Sequence, residues 1–299
     1  MIGCNCNAGL SNTGRPGCVP VFGITSSMIL VPLKANDGTL NGIDLNATLP
    51  VWSDLINEAD ASKRWFPLPA FENVELAKAD SQFEESNSGR KAFLRQGTRS
   101  FAGELWAEDS TPTLLGKLYN VRCVDFGIYI VDVNGNLIGS EVDGYLYPIP
   151  VDNASWDPKF MFATDSAVQK IMLAFDIDRL FNEATMYNIT VTEANQDFTK
   201  LEGLIDVNFL ALNVTSTDVT FDAKLDYGTA LNKILFKGAL LTDFALYNNT
   251  TSSSVTLSGI QENVDGNYTL TFTAQTAGDS MILSINKDGY DGEVTFVAL

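Results

Sequence analysis

Cys123-Val-Asp-Phe-Gly-Ile-Tyr-Ile-Val-Asp-Val-Asn-Gly-Asn-Leu-Ile138 decides how this chain folds. Side chains alternate along a strand, so Phe126, Ile128 and Ile130 share one face and Tyr129, Val131 and Val133 the other. A strand apolar on both faces belongs inside a sheet system. Asn134-Gly135 then offers the pair that a type I′ hairpin turn favours, because both residues tolerate positive φ. Leu137-Ile138 begins the return strand.

The rest of the chain can supply a core for such a strand. It has 299 residues, 45% hydrophobic and 10% aromatic, which is enough for two ordinary domains and excludes global disorder. Net charge is −18, with 19 basic against 37 acidic side chains. So acidic a chain is not expected to grip nucleic acid or an anionic membrane. There is no histidine, which removes Ser-His-Asp and Cys-His mechanisms and most zinc enzymes. No enzyme activity and no cofactor are expected. The apolar run from Val19 to Leu33 is interrupted by Pro20, Gly23 and Pro32, and reads as neither signal peptide nor membrane span.

Residues 1–18 hold Cys4, Cys6 and Cys18 among four glycines. Three thiolates fall one short of the four ligands of a structural zinc site, so no metal is expected. A glycine-rich assembly arm is the better reading, with the cysteines as candidate contacts between subunits. Residues 19–33 read as one or two strands, and Trp52–Ala59 as weakly helical. From Phe71 the chain reads as a meander: Val74–Lys78, a polar tip at Glu84–Gly89, Lys91–Arg95 and Ser100–Trp106. Arg90, Lys91, Arg95 and Arg99 form a basic cluster that either meets an acidic face of another copy or belongs to a solvated hairpin. Thr111-Pro112 carries a helix N-terminus, with a capping Thr followed by Pro at the first helical position. Further strands are predicted over Gln169–Asp178, Tyr187–Val191 and Leu204–Leu212.

Composition shifts at about Asn213, after which Arg, Trp and Cys no longer occur. Seven short strands follow: Val219–Leu225, Lys233–Lys237, Phe244–Tyr247, Val255–Ile260, Tyr268–Ala274, Met281–Ile285 and Val294–Ala298. Their spacing is that of a small sandwich. The domains are therefore expected as an arm at 1–18, a β domain at 19–212 and a sandwich at 213–299. Asp132-x-Asn134-x-Asn136 starts like a calcium-binding EF-hand loop, but its sixth position is Leu137 and its twelfth Asp143. The hairpin turn explains the same residues.

Two resemblances extend this reading. Asp265-Gly-Asn-Tyr268-Thr-Leu-Thr-Phe resembles the tyrosine-corner segment of immunoglobulin-like domains, shortened by one residue between Asp and Tyr. Residues 70–212 resemble the tail tube (major tail) proteins of tailed bacteriophages. The match runs through Arg95-Gln-Gly-Thr-Arg-Ser-Phe-Ala-Gly-Glu-Leu105, a short helix and the hairpin with Asn134-Gly135. That resemblance implies a β-sandwich or barrel with a flanking helix. It further implies hexameric rings that stack into a tube, bridged by an extended arm or loop. DNA would pass through without specific binding, and other virion proteins would be partners. The expected setting is a virion assembled in the host cytoplasm. A neck, ring, adaptor or head decoration protein is the alternative in the same class. A carbohydrate-binding surface protein is the alternative in another.

Overall fold

The computed structural model describes residues 12–14 and 21–299. Cys4, Cys6 and Cys18, and with them the expected arm apart from residues 12–14, lie outside the described residues. The first half of the chain runs β1 (Thr25–Pro32), β2 (Ile43–Asp44), α1 (Trp52–Ile56), β3 (Phe66–Pro67), β4 (Glu72–Lys78), β5 (Gln82–Glu85), β6 (Lys91–Arg95) and β7 (Arg99–Trp106). It continues with α2 (Pro112–Asn120), β8 (Phe126–Asp132), β9 (Leu137–Val142), β10 (Tyr145–Tyr147), β11 (Ile149–Met161), β12 (Lys170–Ile177), β13 (Met186–Ile189) and α3 (Val191–Ala194). The protein is mostly β, with packed sheets and few helices.

Strand β8 is buried along its whole length. Antiparallel β1 lies on one of its edges, with Ile29 opposite Tyr129. Two strands share the other edge, β11 at Gly127–Ile128 and β9 at Ile130–Val131. The sheet therefore forks at β8. One wing runs β11-β12-β7-β4; the other runs β9-β10-β2, with β13 also on β9. Period-two alternation sends Phe126, Ile128 and Ile130 into a core with Phe101, Leu105, Trp156 and Phe175. It sends Tyr129 and Val131 into a second core with Trp52, Trp65 and Phe198. Each such side chain contributes about 1.5–3 kcal/mol by burial. The chain thus covers both faces of this strand itself. Val133 departs from the pattern because it lies past the strand, 56% exposed in the turn.

That turn also differs from expectation. Only Gly135 has positive φ, at 79°. Gly135 N donates to Asp132 O at 2.9 Å and Asp132 N to Asn136 O at 3.0 Å, which is a type I turn closed by a glycine bulge. The Asp132 side chain selects it, with Oδ1 accepting from Asn134 N and Asn136 N, both at 2.9 Å. Its Oδ2 accepts from Gly23 N and Asn136 Nδ2, both at 3.0 Å. The I′ pair is Asp143-Gly144, with φ of 53° and 82°, joining β9 to β10.

Helix α2 begins as its sequence dictates, with Thr111 Oγ1 accepting from Leu114 N at 3.1 Å. Trp156 Nε1 donates to Leu118 O at 2.8 Å, which ties this flanking helix over the first core. The strand expected over Tyr187–Val191 stops at Ile189, because Thr190 and Glu193 form a capping box that starts α3.

The C-terminal strands are β14 (Ile205–Val214), β15 (Asp218–Gly228), β16 (Lys233–Leu235), β17 (Phe244–Asn248), β18 (Ser253–Val255), β19 (Leu257–Val264), β20 (Asn267–Phe272), β21 (Ser280–Ile285), β22 (Tyr290–Asp291) and β23 (Glu293–Val297). One sheet runs β14-β15-β20-β19 and the facing sheet β18-β17-β21-β23. In chain order this is A-B-E-D against C′-C-F-G, the immunoglobulin-like arrangement. Phe221, Tyr268, Leu270, Met281 and Leu283 fill the core between them.

Two expectations are corrected. Strand β14 pairs with β15 and is strand A of this sandwich, so the unit starts near Ile205 and not at 213. Loss of Arg and Trp marks composition, whereas pairing sets the boundary. Tyr268 lies on strand E, not at the E–F corner. Its hydroxyl donates to Phe236 O at 3.0 Å and accepts from Ala239 N at 3.3 Å, bracing the segment before β17.

Among the described residues the clusters on either side of Leu204 share no side chain. Polar contacts join them instead. Buried Arg64 pairs with Asp291 and donates to Glu58 O and Ala59 O. Gly289 N donates to Asn57 Oδ1 at 3.0 Å. Lys117 on α2 pairs with Asp206 at 2.7 Å and Asp226 at 3.7 Å.

Candidate assembly surface

Strand β4 ends the large sheet, with one edge on β7 and the other unpaired. An open edge is a template for another chain. This one is guarded by the charges of Glu72, Glu75 and Lys78 and by a bulge between Glu72 and Glu75. The unpaired edge of β11 is capped at Trp156, whose carbonyl accepts from Arg122 Nε at 2.6 Å.

Directly after β4, strands β5 and β6 form a two-stranded ribbon of their own. Every residue of both strands is exposed. Ser86 N donates to Arg90 O at 2.9 Å and Gly89 N to Ser86 O at 2.8 Å, the same bulged turn that follows Asp132. Phe83 and Phe93 face each other across the ribbon, edge to face with ring centres 5.7 Å apart. They remain 56% and 55% exposed, and Leu94 is 57% exposed. Isolated two-stranded ribbons are marginal in water, and exposed aromatic clusters mark contact surfaces.

The root of the ribbon is held firmly. Ala79 N donates to Thr98 O at 2.9 Å. Gly97 crosses so close to that strand that a Cβ there would lie 1.7 Å from Ala79 O. Glu183 accepts from Arg99 Nε at 2.9 Å and from Lys78 Nζ at 2.8 Å. Arg99 beside it, aided by Lys78, holds the Glu183 carboxyl below the usual range despite its partial burial.

The expected basic cluster is thus divided. Arg90, Lys91 and Arg95 stand on the ribbon; Lys91 lies 3.6 Å from Glu85, and Arg95 Nε donates to Gln82 Oε1 at 2.8 Å. Arg99 is turned into its own chain by Glu183 and by Leu76 O, which it reaches at 3.0 Å. Phe83, Phe93 and Leu94 were not expected as surface residues. Their signal was the absence of any apolar neighbour between Phe83 and Ala92 that could share a core with them. Among the described residues no group of three acidic, Cys or His side chains is placed to hold a metal ion. No described helix is long and apolar enough to cross a membrane.

The fold and this surface define a mostly β protein with an immunoglobulin-like C-terminal sandwich and an exposed ribbon that carries an aromatic pair near its root. Comparison with protein-family models finds no match, and comparison with curated proteins finds none either.

Proposed function

We propose that this chain is a structural subunit of a tailed-phage virion that assembles with copies of itself. The tail tube is the position that its sequence resemblance favours, and a neck or ring position is the alternative. The ribbon carries the reading. It exposes two stacked-edge phenylalanines and a leucine, touches no core of its own chain, and is braced at its root by Gly97 and the Arg99–Glu183–Lys78 group. Such an element is poorly suited to a free monomer and well suited to a contact. A mostly β subunit with a flanking helix agrees with the same proposal, and a net charge of −18 would let DNA pass without sticking.

A carbohydrate-binding role has less support. The open groove of about 450 Å³ on the C-terminal sandwich is lined mainly by aliphatic side chains such as Leu241, Val255 and Leu257, with Tyr247 its half-exposed aromatic.

Sizing across a concentration series, followed by negative-stain imaging, tests the proposal. Rings, stacks or tubes are expected. Compact monomers at the highest concentration would overturn it.

A further inference from the structure

We propose that the Gln82–Arg95 ribbon of one copy seats in an apolar groove on the opposite wing of a second copy. The inference rests on the self-assembly reading and names the contact that carries it. The groove measures about 390 Å³ and lies between the β9–β10 hairpin, the loop after β1 and residues 178–185. Its walls include Leu40, Val142, Tyr147, Pro148, Leu180 and Phe181. Leu180 is 76% exposed and Leu40 57%, so apolar surface lies open there.

Charge selects the occupant. Between Gln82 and Arg95 there are three basic residues and two acidic ones, a net +1 within a chain of −18. Lys91 and Arg95 each lie two residues from Phe93 and share its face of the strand, with Glu85 3.6 Å from Lys91. No Lys or Arg lines the groove, whereas Asp178 does. Asp152 and Asp176, a cross-strand pair, stand on the strand ends beside it. A ribbon of net positive charge with an exposed aromatic pair therefore meets an apolar slot beside which Asp152, Asp176 and Asp178 outnumber Arg179. Ribbon and groove are different patches of the same surface. A head-to-tail contact between them builds rings or open stacks, where a self-complementary patch would stop at a dimer.

The test uses two full-length variants with exposed substitutions. The ribbon variant carries Phe83→Ser, Phe93→Ser and Leu94→Ser; the groove variant carries Leu40→Lys and Leu180→Lys. Unchanged circular dichroism and melting confirm that each is folded. Each variant alone should be monomeric at concentrations where the wild type assembles. Mixed in equal amounts, they should form dimers and nothing larger, since one intact ribbon meets one intact groove. Assembly of the groove variant alone would overturn the groove and leave the ribbon reading standing. Monomers in the equal mixture would also overturn this pairing. Assembly of the ribbon variant would overturn both, and a monomeric wild type would overturn self-assembly itself.

Discussion

Asp132→Asn should destabilise the first half of the protein out of proportion to a change of one atom. Asp132 exposes none of its surface, and its two oxygens accept four hydrogen bonds. An asparagine keeps one oxygen for Asn134 N and Asn136 N and turns an NH2 group toward Gly23 N and Asn136 Nδ2. The Asn136 amide can flip only by giving up Val191 N, which its Oδ1 accepts at 3.2 Å, and the Gly23 N–H is left without its acceptor. An orphaned donor costs about 1–3 kcal/mol, and the surviving bonds lose their charge assistance. Together these come to about 3 kcal/mol, or a fall of roughly 6–12 °C in melting temperature for a unit of this size. Burial pushes the Asp132 carboxyl up, yet the hydrogen bonds outweigh it and hold the group below its usual value. A depressed pKa means that the stabilisation is complete above the unfolded value near 3.9 and is lost as pH falls through the folded one. The gap between wild type and Asp132→Asn should therefore stay constant from pH 7 to pH 5 and narrow only below about pH 4. Thermal melts of both proteins across that range are the assay. A shift under 2 °C at pH 7, or a gap that closes by pH 5, would refute the account of the turn.

Three other outcomes are expected. Tyr268→Phe strands Phe236 O and Ala239 N and should cost about 1–2 kcal/mol in urea unfolding. Arg64→Ala leaves two carbonyls and Asp291 unpaired, and should cost about 2 kcal/mol, since Asp291 is half exposed and partly screened; Arg64→Lys should not restore it, because a single ammonium cannot span the three acceptors. Gly97→Ala should displace the ribbon root and abolish assembly while near-UV circular dichroism stays unchanged; normal assembly would refute the role given to that crossing.

Local chemistry was legible in the sequence, and long-range closure was not. The faces of Phe126–Asp132, the Thr111 cap and the C-terminal strands follow from period and capping, which neighbours in sequence determine. The turn type was missed because Asn134-Gly135 argues for I′ until the Asp132 carboxylate is seen to collect backbone N–H groups. Which cores the strand faces reach depends on Trp52, Trp65 and Trp156, distant in the chain. The ribbon's basic residues were visible, but the diversion of Arg99 to Glu183 was not, since 84 positions separate them. The groove draws on residues from Leu33 to Thr185 and leaves no local pattern to read.

The pairing of β1 with β8 also sets an order of events on the ribosome. Ser27–Pro32 is buried without interruption, and its partner strand is synthesised about 100 residues later, a delay of roughly 5–20 s at ordinary elongation rates. Residues 66–71 can cover one edge of β1 earlier, through pairs such as Ile29 with Pro67, but until β8 appears the other edge stays bare and open to a neighbouring nascent chain. The local hairpins β8–β9–β10 cost little loop entropy to close and can form as soon as they emerge. An early strand thus waits for a late partner, and a holdase that shields residues 25–32 during synthesis should raise the yield of folded protein more than one acting after release.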